Sequence, residues 1–217
     1  FHVAASVLIS SAVFAADASA PVRKKQPLPP LPVSAVASPA RTTDGVEFVI
    51  GPDYAYAPEL TVRADVPKGT VHDFTMNSED SKIYPGIARG QTGTVPYKRR
   101  VTVYVPAGYV AGTPTPFIVG QDGNYRDFLP VVLDNLIHKG EVPVTIGVFI
   151  SPGVVPALST NALARFNRSF EYDGLGDDYA RFLLDELLPA LGRTWNLSTN
   201  GNDRLIAGAS SGAICAF

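Results

Sequence analysis

The feature that most restricts how this chain can fold is an alternation of apolar and amphipathic segments that begins at Thr115. A first short apolar segment ends in a glycine-rich loop at residues 120–123, and a second, residues 142–150, is apolar almost throughout. A third, "RLIAGAS", runs into "SGAICAF", which is predicted to open a helix. Short continuous apolar segments are typical of strands that are buried on both faces of a parallel sheet. The second half of the chain is therefore predicted to carry three parallel strands.

Two amphipathic segments separate these strands, and both have the period of a helix. The apolar stripe of the first consists of Leu129, Val132, Leu133, Leu136 and Ile137. His138 and Lys139 close this helix, and Gly140 follows where a left-handed cap is expected. The second segment has Asp177 at its N-cap position. Its mostly apolar stripe consists of Tyr179, Phe182, Leu183, Glu186, Leu187 and Ala190. Helices between parallel strands predict an α/β sandwich.

The first half of the chain has the pattern of antiparallel strands. Three short β-rich segments, residues 46–50, 60–66 and 70–76, are separated by proline and glycine turns. Residues 99–109 alternate, with valines at odd positions on one face and the even-numbered residues on the other, which predicts a half-buried strand. The whole pattern predicts a three-layer α/β sandwich in which antiparallel strands precede a mostly parallel sheet.

The first forty residues lack the pattern of a folded domain. Residues 3–16 form an uncharged apolar run that is short for a membrane span but suits a secretory signal, with cleavage expected at residues 13–15 or 16–18. The alternative is a buried strand or helix of the fold. Six prolines within residues 21–40 exclude a regular helix or a central strand and predict an extended linker. We expect a signal-like segment over residues 1–20, a linker over 21–43 and one domain over 44–217.

The composition is that of a globular domain and argues against several classes of partner. The 217 residues are 46% hydrophobic and 18% charged, and the net charge is −2, so no nucleic acid and no anionic membrane surface is expected to bind. The three histidines and the single cysteine form no cluster with metal-ligand spacing, so no metal and no cofactor is expected. Cys215 has apolar neighbours and is expected to be a buried small side chain rather than a reactive thiol.

The strongest chemical signal is the sequence Gly-Ala-Ser-Ser-Gly at residues 208–212. The pattern G-x-S-x-G mounts a nucleophilic serine on a sharp turn when a strand precedes it and a helix follows, and both are predicted here. The spacing to the two glycines selects Ser210 rather than Ser211. Small residues on both sides of the serine favour this interpretation over an ordinary Gly/Ser turn packed under a helix.

A nucleophilic serine that attacks an ester needs hydrogen-bond donors for the oxyanion that forms. The backbone N–H of Ser211 is one candidate. A second is expected from the loop after an earlier strand, where Gly123 or Asn124 lies in "GQDGNY". Ligands of such sheets bind outside the carboxyl ends of the strands. Three loops are expected to meet there, namely residues 120–125, residues 151–176 and the turn at Ser210.

The serine also needs a base and an acid, and the three histidines of the chain are poor candidates for the base. His2 lies in the signal-like segment, His72 lies on an early antiparallel strand, and His138 lies at a helix end where a cation is favourable. In this architecture the order along the chain is serine, acid, histidine. We therefore expect both partners beyond residue 217 of a longer parent, so that the C-terminal part of the domain is missing and the 217-residue piece is inactive.

Several segments resemble one esterase group of the α/β-hydrolases. They are "PKGTVHDFTMNSEDSKIYPGIA", "RRVTVYVPAGY", "PFIVGQDGNY", "RSFEYDGLGDDYARFLLDELLPAL" and "AGASSGAICAF", which occur in the family's order. The group includes S-formylglutathione hydrolases and some feruloyl or acetyl-xylan esterases, and the resemblance is closest to exported enterochelin (siderophore) esterase-like proteins. The resemblance implies an α/β-hydrolase fold, Ser210 as nucleophile, a "QDG" loop beside the oxyanion hole and "RSFEYD" at the border of the active site.

Arg168 and Glu171 follow the strand that ends near Ile150 and are expected on the crevice side of the sheet. One interpretation is substrate binding, with Arg168 holding an anionic or catecholate-like group. The other is an ion pair between Arg168 and Glu171 that holds the long loop in place. The two interpretations remain equally open on the sequence.

The leading functional hypothesis is a secreted or periplasmic serine esterase that works through an acyl-enzyme. Its substrate is expected to be a small-molecule or carbohydrate-linked ester, without stable insertion into a membrane. The same residues would also serve an acyltransferase, which passes the acyl group to an alcohol instead of water. A non-catalytic binding protein on a hydrolase scaffold is the alternative from a different class. The sequence does not indicate the oligomeric state.

Overall fold

The computed structural model describes residues 55–86, 95–155 and 165–217. The strands are β1 Thr70–Asn77, β2 Lys98–Val105, β3 Phe117–Gly120, β4 Ile146–Ile150, β5 Val154–Val155, β6 Arg165–Phe166 and β7 Arg204–Ala207. The helices are α1 Leu129–Lys139, α2 Arg168–Tyr172, α3 Asp178–Arg181, α4 Leu188–Leu191 and α5 Ser211–Ala216. The predicted signal-like segment, the linker and the strand at residues 46–50 lie outside the described residues.

The described strands form one sheet in the order β6-β5-β2-β4-β3-β7, and β1 pairs with β2. Strand β3 lies between β4 and β7 and is parallel to both, with Phe117 opposite Ile146 on one side and Arg204 on the other. The pairs β1–β2, β2–β4, β2–β5 and β5–β6 are antiparallel. The predicted α/β fold, with antiparallel strands before three parallel ones, is confirmed.

Helices cover both faces of the sheet. On one face, Leu133 of α1 packs against Tyr104 of β2 and Phe149 of β4. On the other face, the segment from α3 to α4 packs on the valines of β2, on Phe117 and Val119 of β3 and on the inward residues of β4. Burial of these apolar side chains is the main driving force for the three-layer arrangement, which matches the predicted sandwich.

Strand β2 is buried on both faces, so the prediction that it is half-buried is wrong. Thr102 is 1% exposed and Tyr104 is 0% exposed. Their polar atoms are hydrogen-bonded within the protein, because the Tyr104 hydroxyl donates to Asp134 of α1 at 2.7 Å and the Thr102 hydroxyl donates to Asp73. These partners permit burial of a face that the alternating sequence assigns to solvent.

The predicted strand at residues 60–66 is absent, and this prediction is also wrong. A short 3₁₀ turn, Pro58–Leu60, leads into irregular chain. The amide of Asn135 on α1 donates to the carbonyls of Glu59 and Thr61, at 2.7 and 3.0 Å. Val62 in this segment is 56% exposed. A side chain of α1 therefore holds this backbone in place of a neighbouring strand.

The second predicted helix is present but interrupted. Between α3 and α4 the chain makes a π-helical turn, Phe182–Leu187. Pro189 is the second residue of α4, and since proline has no N–H to donate, the regular ladder of hydrogen bonds is interrupted there. Asp177 lies at the predicted N-cap position, although its side chain makes no capping bond. Gly140 ends α1 with φ 73°, as predicted.

Candidate active site

Three connections meet at the carboxyl edge of the parallel strands, as predicted. The N–H of Gln121, just after β3, donates to the carbonyl of Ala207 at the end of β7, at 2.9 Å. Asp122 in the same connection contacts Arg168 of α2. The connection predicted as a loop over residues 151–176 contains β5, β6 and α2.

Ser210 lies on the sharp turn between β7 and α5. Its backbone has φ 55° and ψ −129°, a conformation that a residue with a Cβ rarely adopts, and its side chain is exposed. Only one other described residue besides glycine, Asp122, has a positive φ. Such strain persists only where surrounding contacts impose it, and it is concentrated at functional sites. The predicted strand–turn–helix around this serine is present.

The two glycines of the motif are required by close approach rather than by their backbone angles. A Cβ on Gly208 would lie 2.2 Å from the carbonyl oxygen of Gly212, which is far inside van der Waals contact. A Cβ on Gly212 would lie 3.1 Å from a carboxylate oxygen of Asp122 and 3.2 Å from the Cβ of Gln121. The start of α5 therefore packs directly on the end of β7 and on the loop after β3.

The loop after β3 also has unusual backbone. Asp122 has φ 67° and Gly123 has φ 73°. Gly123 is buried against Ser151, whose hydroxyl oxygen would lie 2.3 Å from an added Cβ. Asn124 is exposed and begins a short 3₁₀ turn, Asn124–Asp127. The structure thus places both predicted donor residues beside the carboxyl edge of the sheet, and their role at an oxyanion remains a prediction.

Arg168 connects the two unusual turns. Its Nη2 donates to the Asp122 carboxylate at 2.9 Å and to the carbonyl of Ala209 at 3.1 Å, and its Nε donates to the other Asp122 oxygen. The guanidinium also lies 5.3 Å from the ring centre of Tyr172, whose hydroxyl accepts the N–H of Asp122 at 3.1 Å. Arg168 is therefore at the predicted site, and it is bound to protein groups there.

Glu171 lies elsewhere, in the core, so the alternative in which it forms an ion pair with Arg168 is wrong. The Glu171 side chain is fully buried and pairs with Arg99 at 2.7 Å. Its Oε1 also accepts from the Tyr97 hydroxyl at 3.2 Å and from the N–H of Gly153 at 3.0 Å. Burial raises the pKa of the Glu171 carboxyl, against the opposing effect of the Arg99 guanidinium. These contacts enclose the predicted substrate-binding carboxylate and give it structural partners.

The two histidines in the described part of the chain lie far from the serine. His72 is on β1, four strands from β7, which is about 19 Å at the usual strand spacing. His138 ends α1, which runs for 11 residues, or about 16 Å, away from the carboxyl edge. Neither can take the proton of Ser210. The same ranges contain no cluster of metal-ligating side chains and no helix long and apolar enough to cross a bilayer.

Two residues of this region were not singled out by the sequence, Asp122 and Arg99. Nothing in "GQDGNY" marks the aspartate as the partner of an arginine 46 positions later. Arg99 did carry a signal, because it shares the phase of Val101 and Val103 on β2 and so faces the same buried side. An inward-facing arginine in a strand requires a buried partner.

A mixed α/β sheet with a strained serine between its last described parallel strand and a helix defines a protein of the α/β-hydrolase class. The sequence profile of the family described as "Putative esterase" matches residues 92–217, more than half of the chain. The chain belongs to this family.

Solved structures to which the chain is similar include esterases. Ferric enterobactin esterase from Salmonella typhimurium is 21% identical with a TM-score of 0.53, and the match covers 79% of this chain and 36% of that one. A ferulic acid esterase from the fungus Anaeromyces mucronatus is 20% identical with a TM-score of 0.51, with 73% and 56% covered. Enterochelin esterase from Shigella flexneri is 26% identical with a TM-score of 0.42, with 55% and 28% covered. The chain thus matches between 28% and 56% of the length of these three structures. No curated protein matches the sequence.

Proposed function

We propose that this chain is part of a serine-dependent carboxylic ester hydrolase in which Ser210 is the nucleophile. The observation that carries the proposal is the strained, exposed Ser210 between β7 and α5, in a chain of the esterase family. A serine held in this conformation presents its hydroxyl to a substrate above the sheet edge. Within the described residues the Ser210 side chain makes no capping hydrogen bond to α5, so the hydroxyl is available for reaction.

In the proposed reaction the Ser210 oxygen attacks the ester carbonyl carbon and gives up its proton to a histidine. The tetrahedral oxyanion then collapses, the bond to the alcohol breaks, and the histidine returns the proton to the departing alcohol. Water hydrolyses the resulting acyl-serine by the same steps and releases the carboxylic acid. The histidine must come from outside the described residues, and the usual chain order of serine, acid and histidine leads us to propose the same for the acid.

The oxyanion is assigned to backbone donors on the two turns. Ser211 is the first residue of α5, and the next two N–H groups, of Gly212 and Ala213, are already bonded to the carbonyls of Ala209 and Ser210. The N–H groups of Ser211, Gly123 and Asn124 have no acceptor within the described ranges. Two such donors aimed at one oxygen stabilise the charge that develops during attack.

The nucleophile can be tested by covalent labelling of the full-length protein with a fluorophosphonate. We expect the label on Ser210 in a mapped peptide and no label on Ser210→Ala. Ser211→Ala is the matched control, because this residue is proposed to contribute only its backbone N–H, and it should label at a rate close to that of the original protein. Labelling at another serine, or normal labelling of Ser210→Ala, would refute the assignment.

The ester itself is proposed only as a class, namely carboxylic esters of small molecules or carbohydrates. Enterobactin and feruloyl esters are the first substrates to assay, because proteins of the same fold bear the names of esterases for them. Hydrolysis of any carboxylic ester that is lost in Ser210→Ala and kept in Ser211→Ala would support the proposal. Binding of such esters without turnover would instead favour a binding protein.

A further inference from the structure

We propose that Arg168 is a positioning residue that, together with Asp122, locks the two turns of the active site against each other. This inference rests on the proposed function. One turn carries Ser210, and the other carries the proposed donors Gly123 and Asn124. The Arg168 guanidinium contacts both, since it binds the Asp122 carboxylate on one side and the Ala209 carbonyl on the other.

The contacts of Arg168 with Asp122 and Ala209 restrain the backbone of both turns. Ala209 directly precedes Ser210, and Asp122 directly precedes Gly123, so each bond acts one residue away from a group proposed to take part in the reaction. Asp122 and Ser210 are also the two described residues other than glycine with a positive φ. A bidentate arginine–carboxylate pair has a defined orientation, which makes it suited to hold a strained backbone conformation.

Helix α2, which carries Arg168, is held in place by contacts with the protein core. Helix α2 has only five residues and cannot be stable alone. Glu171, one turn after Arg168, is bound in the core by Arg99 at 2.7 Å, and the N–H of Asn167 donates to the carbonyl of Gly153 at 2.7 Å. The Arg99 guanidinium lies 4.1 Å from the ring centre of Phe182, which encloses the pair. The position of Arg168 is thus defined by the core of the protein.

The alternative, in which Arg168 binds an anionic group of the substrate, is less consistent with these contacts. Nε and Nη2 are already engaged, and the Asp122 carboxylate neutralises the guanidinium. An anionic substrate would therefore have to compete with an ion pair of which both members are at most 30% exposed. The two roles predict different kinetics, because positioning affects every substrate, whereas binding affects only those with the charge.

The test compares Arg168→Lys, Arg168→Met and Asp122→Asn in the full-length enzyme, assayed with a neutral ester and an anionic ester of the same acyl group. We expect kcat per titrated active site to fall about 100-fold for both esters, since a small misplacement of reacting groups has an effect of that size. KM should change less than about twofold for both. Arg168→Lys should not keep the original kcat, because lysine retains the charge but cannot form the bidentate contact with the carboxylate. Combining Arg168→Met with Asp122→Asn should lower kcat little further.

Arg181→Met is the matched control, because Arg181 is an exposed arginine on the neighbouring helix α3 and lies outside the site. It should keep the original kcat. A rise in KM confined to the anionic ester in the Arg168 variants would overturn the inference and establish substrate binding. Unchanged kcat per active site, with only a smaller folded fraction, would overturn it in favour of a purely structural role. Activity that persists in Ser210→Ala would instead refute the proposed function itself.

Discussion

At the scale of single residues, the most informative residues are those whose backbone conformation or burial is unusual for their residue type. Ser210 has a backbone conformation that favours glycine, and Arg99 and Glu171 are charged groups in the core. The first was predictable, because the two flanking glycines and the strand before them constrain the turn. The second was predictable only in part, since the phase of β2 points Arg99 inward but nothing in the sequence identifies Glu171 as its partner.

Cys215 gives a prediction about reactivity at this scale. The structure places it partly buried against the core, and burial, assisted by the carboxylates of Glu171, Asp122 and Asp173, raises the pKa of its thiol to about 11. The thiolate is the reactive form, so alkylation by iodoacetamide at pH 8 should be about 100-fold slower than for an unperturbed cysteine. The rate should rise about tenfold per pH unit until the pH approaches 11. The measurement is the alkylation rate of the folded protein across this pH range.

The same protein in concentrated urea is the control, because unfolding removes the burial that shifts the pKa. There Cys215 should react at the rate of a free cysteine, with its rate levelling off about two pH units lower. A plateau at the same pH in the folded and unfolded protein would show that the site does not suppress the thiolate.

At the scale of structural elements, the alternation of strands and helices was predicted better than burial or irregular connections. The helical stripes and the cap at Gly140 were sufficient to define α1, because they are local properties of the chain. The burial of both faces of β2, by contrast, depends on Asp134 of α1, which pairs with Tyr104 from 30 residues away. The segment at residues 60–66 is β-rich like a strand, but the carbonyl of Thr61 accepts from the side chain of Asn135. These long-range partners determine which faces are buried and which segments form strands, and no local sequence pattern reveals them.

The turn between β7 and α5 supplies a prediction about element packing. Gly208→Ala places a Cβ against the rigid backbone of Gly212, so the turn must open, and we expect a loss of about 2 to 3 kcal/mol in the free energy of unfolding. Gly212→Ala meets a carboxylate oxygen of Asp122 at 3.1 Å and the Cβ of Gln121 at 3.2 Å, which are milder contacts, and should cost about 1 kcal/mol. Urea unfolding of the full-length protein measures both effects.

Gly201→Ala is the matched control for these substitutions, because no described atom beyond its chain neighbours lies within 4 Å of the position its Cβ would take. Its stability should stay within about 0.5 kcal/mol of the original. The rate of fluorophosphonate labelling of Ser210 should be highest in Gly201→Ala, lower in Gly212→Ala and lowest in Gly208→Ala. Equal stability of the Gly208 and Gly201 variants would contradict the close packing of β7 and α5.

At the scale of the whole molecule, the position of the site follows from topology. Three parallel strands, β4, β3 and β7, bring their carboxyl ends to one edge, and the residues that follow each strand meet there. The sequence was sufficient to predict this edge and its three connections, because strand direction in such folds follows from the intervening helices. It was not sufficient to predict that the partner of Arg168 would be Asp122 rather than Glu171 or a substrate group, since that choice depends on how α2 packs on the core.

The opposite side of β7 leads to the last prediction. Within the ranges that the structure describes, β7 pairs only with β3, and its other edge has no strand beside it. Leu205 on this strand is 58% exposed and Ile214 on α5 is 70% exposed. Beside them lies a cavity of about 840 Å³, whose lining includes Val119, Leu183 and Ile206. An open strand edge with an apolar surface favours association with other chains.

We therefore expect the 217-residue chain, prepared alone, to bind the dye 1-anilinonaphthalene-8-sulfonate and to sediment as a concentration-dependent mixture of species. The double variant Leu205→Lys with Ile214→Lys should reduce both signals, because two charges on this surface oppose association without entering the core. Val110→Lys is the matched control, since Val110 is 62% exposed but lies in the connection between β2 and β3, and it should change neither signal. A monomer that binds no dye would show that this surface is covered by residues outside the described ranges. Association that is weakened as much by the Val110 variant would place the contact elsewhere, because only a surface formed by β7 and α5 responds selectively to Leu205 and Ile214.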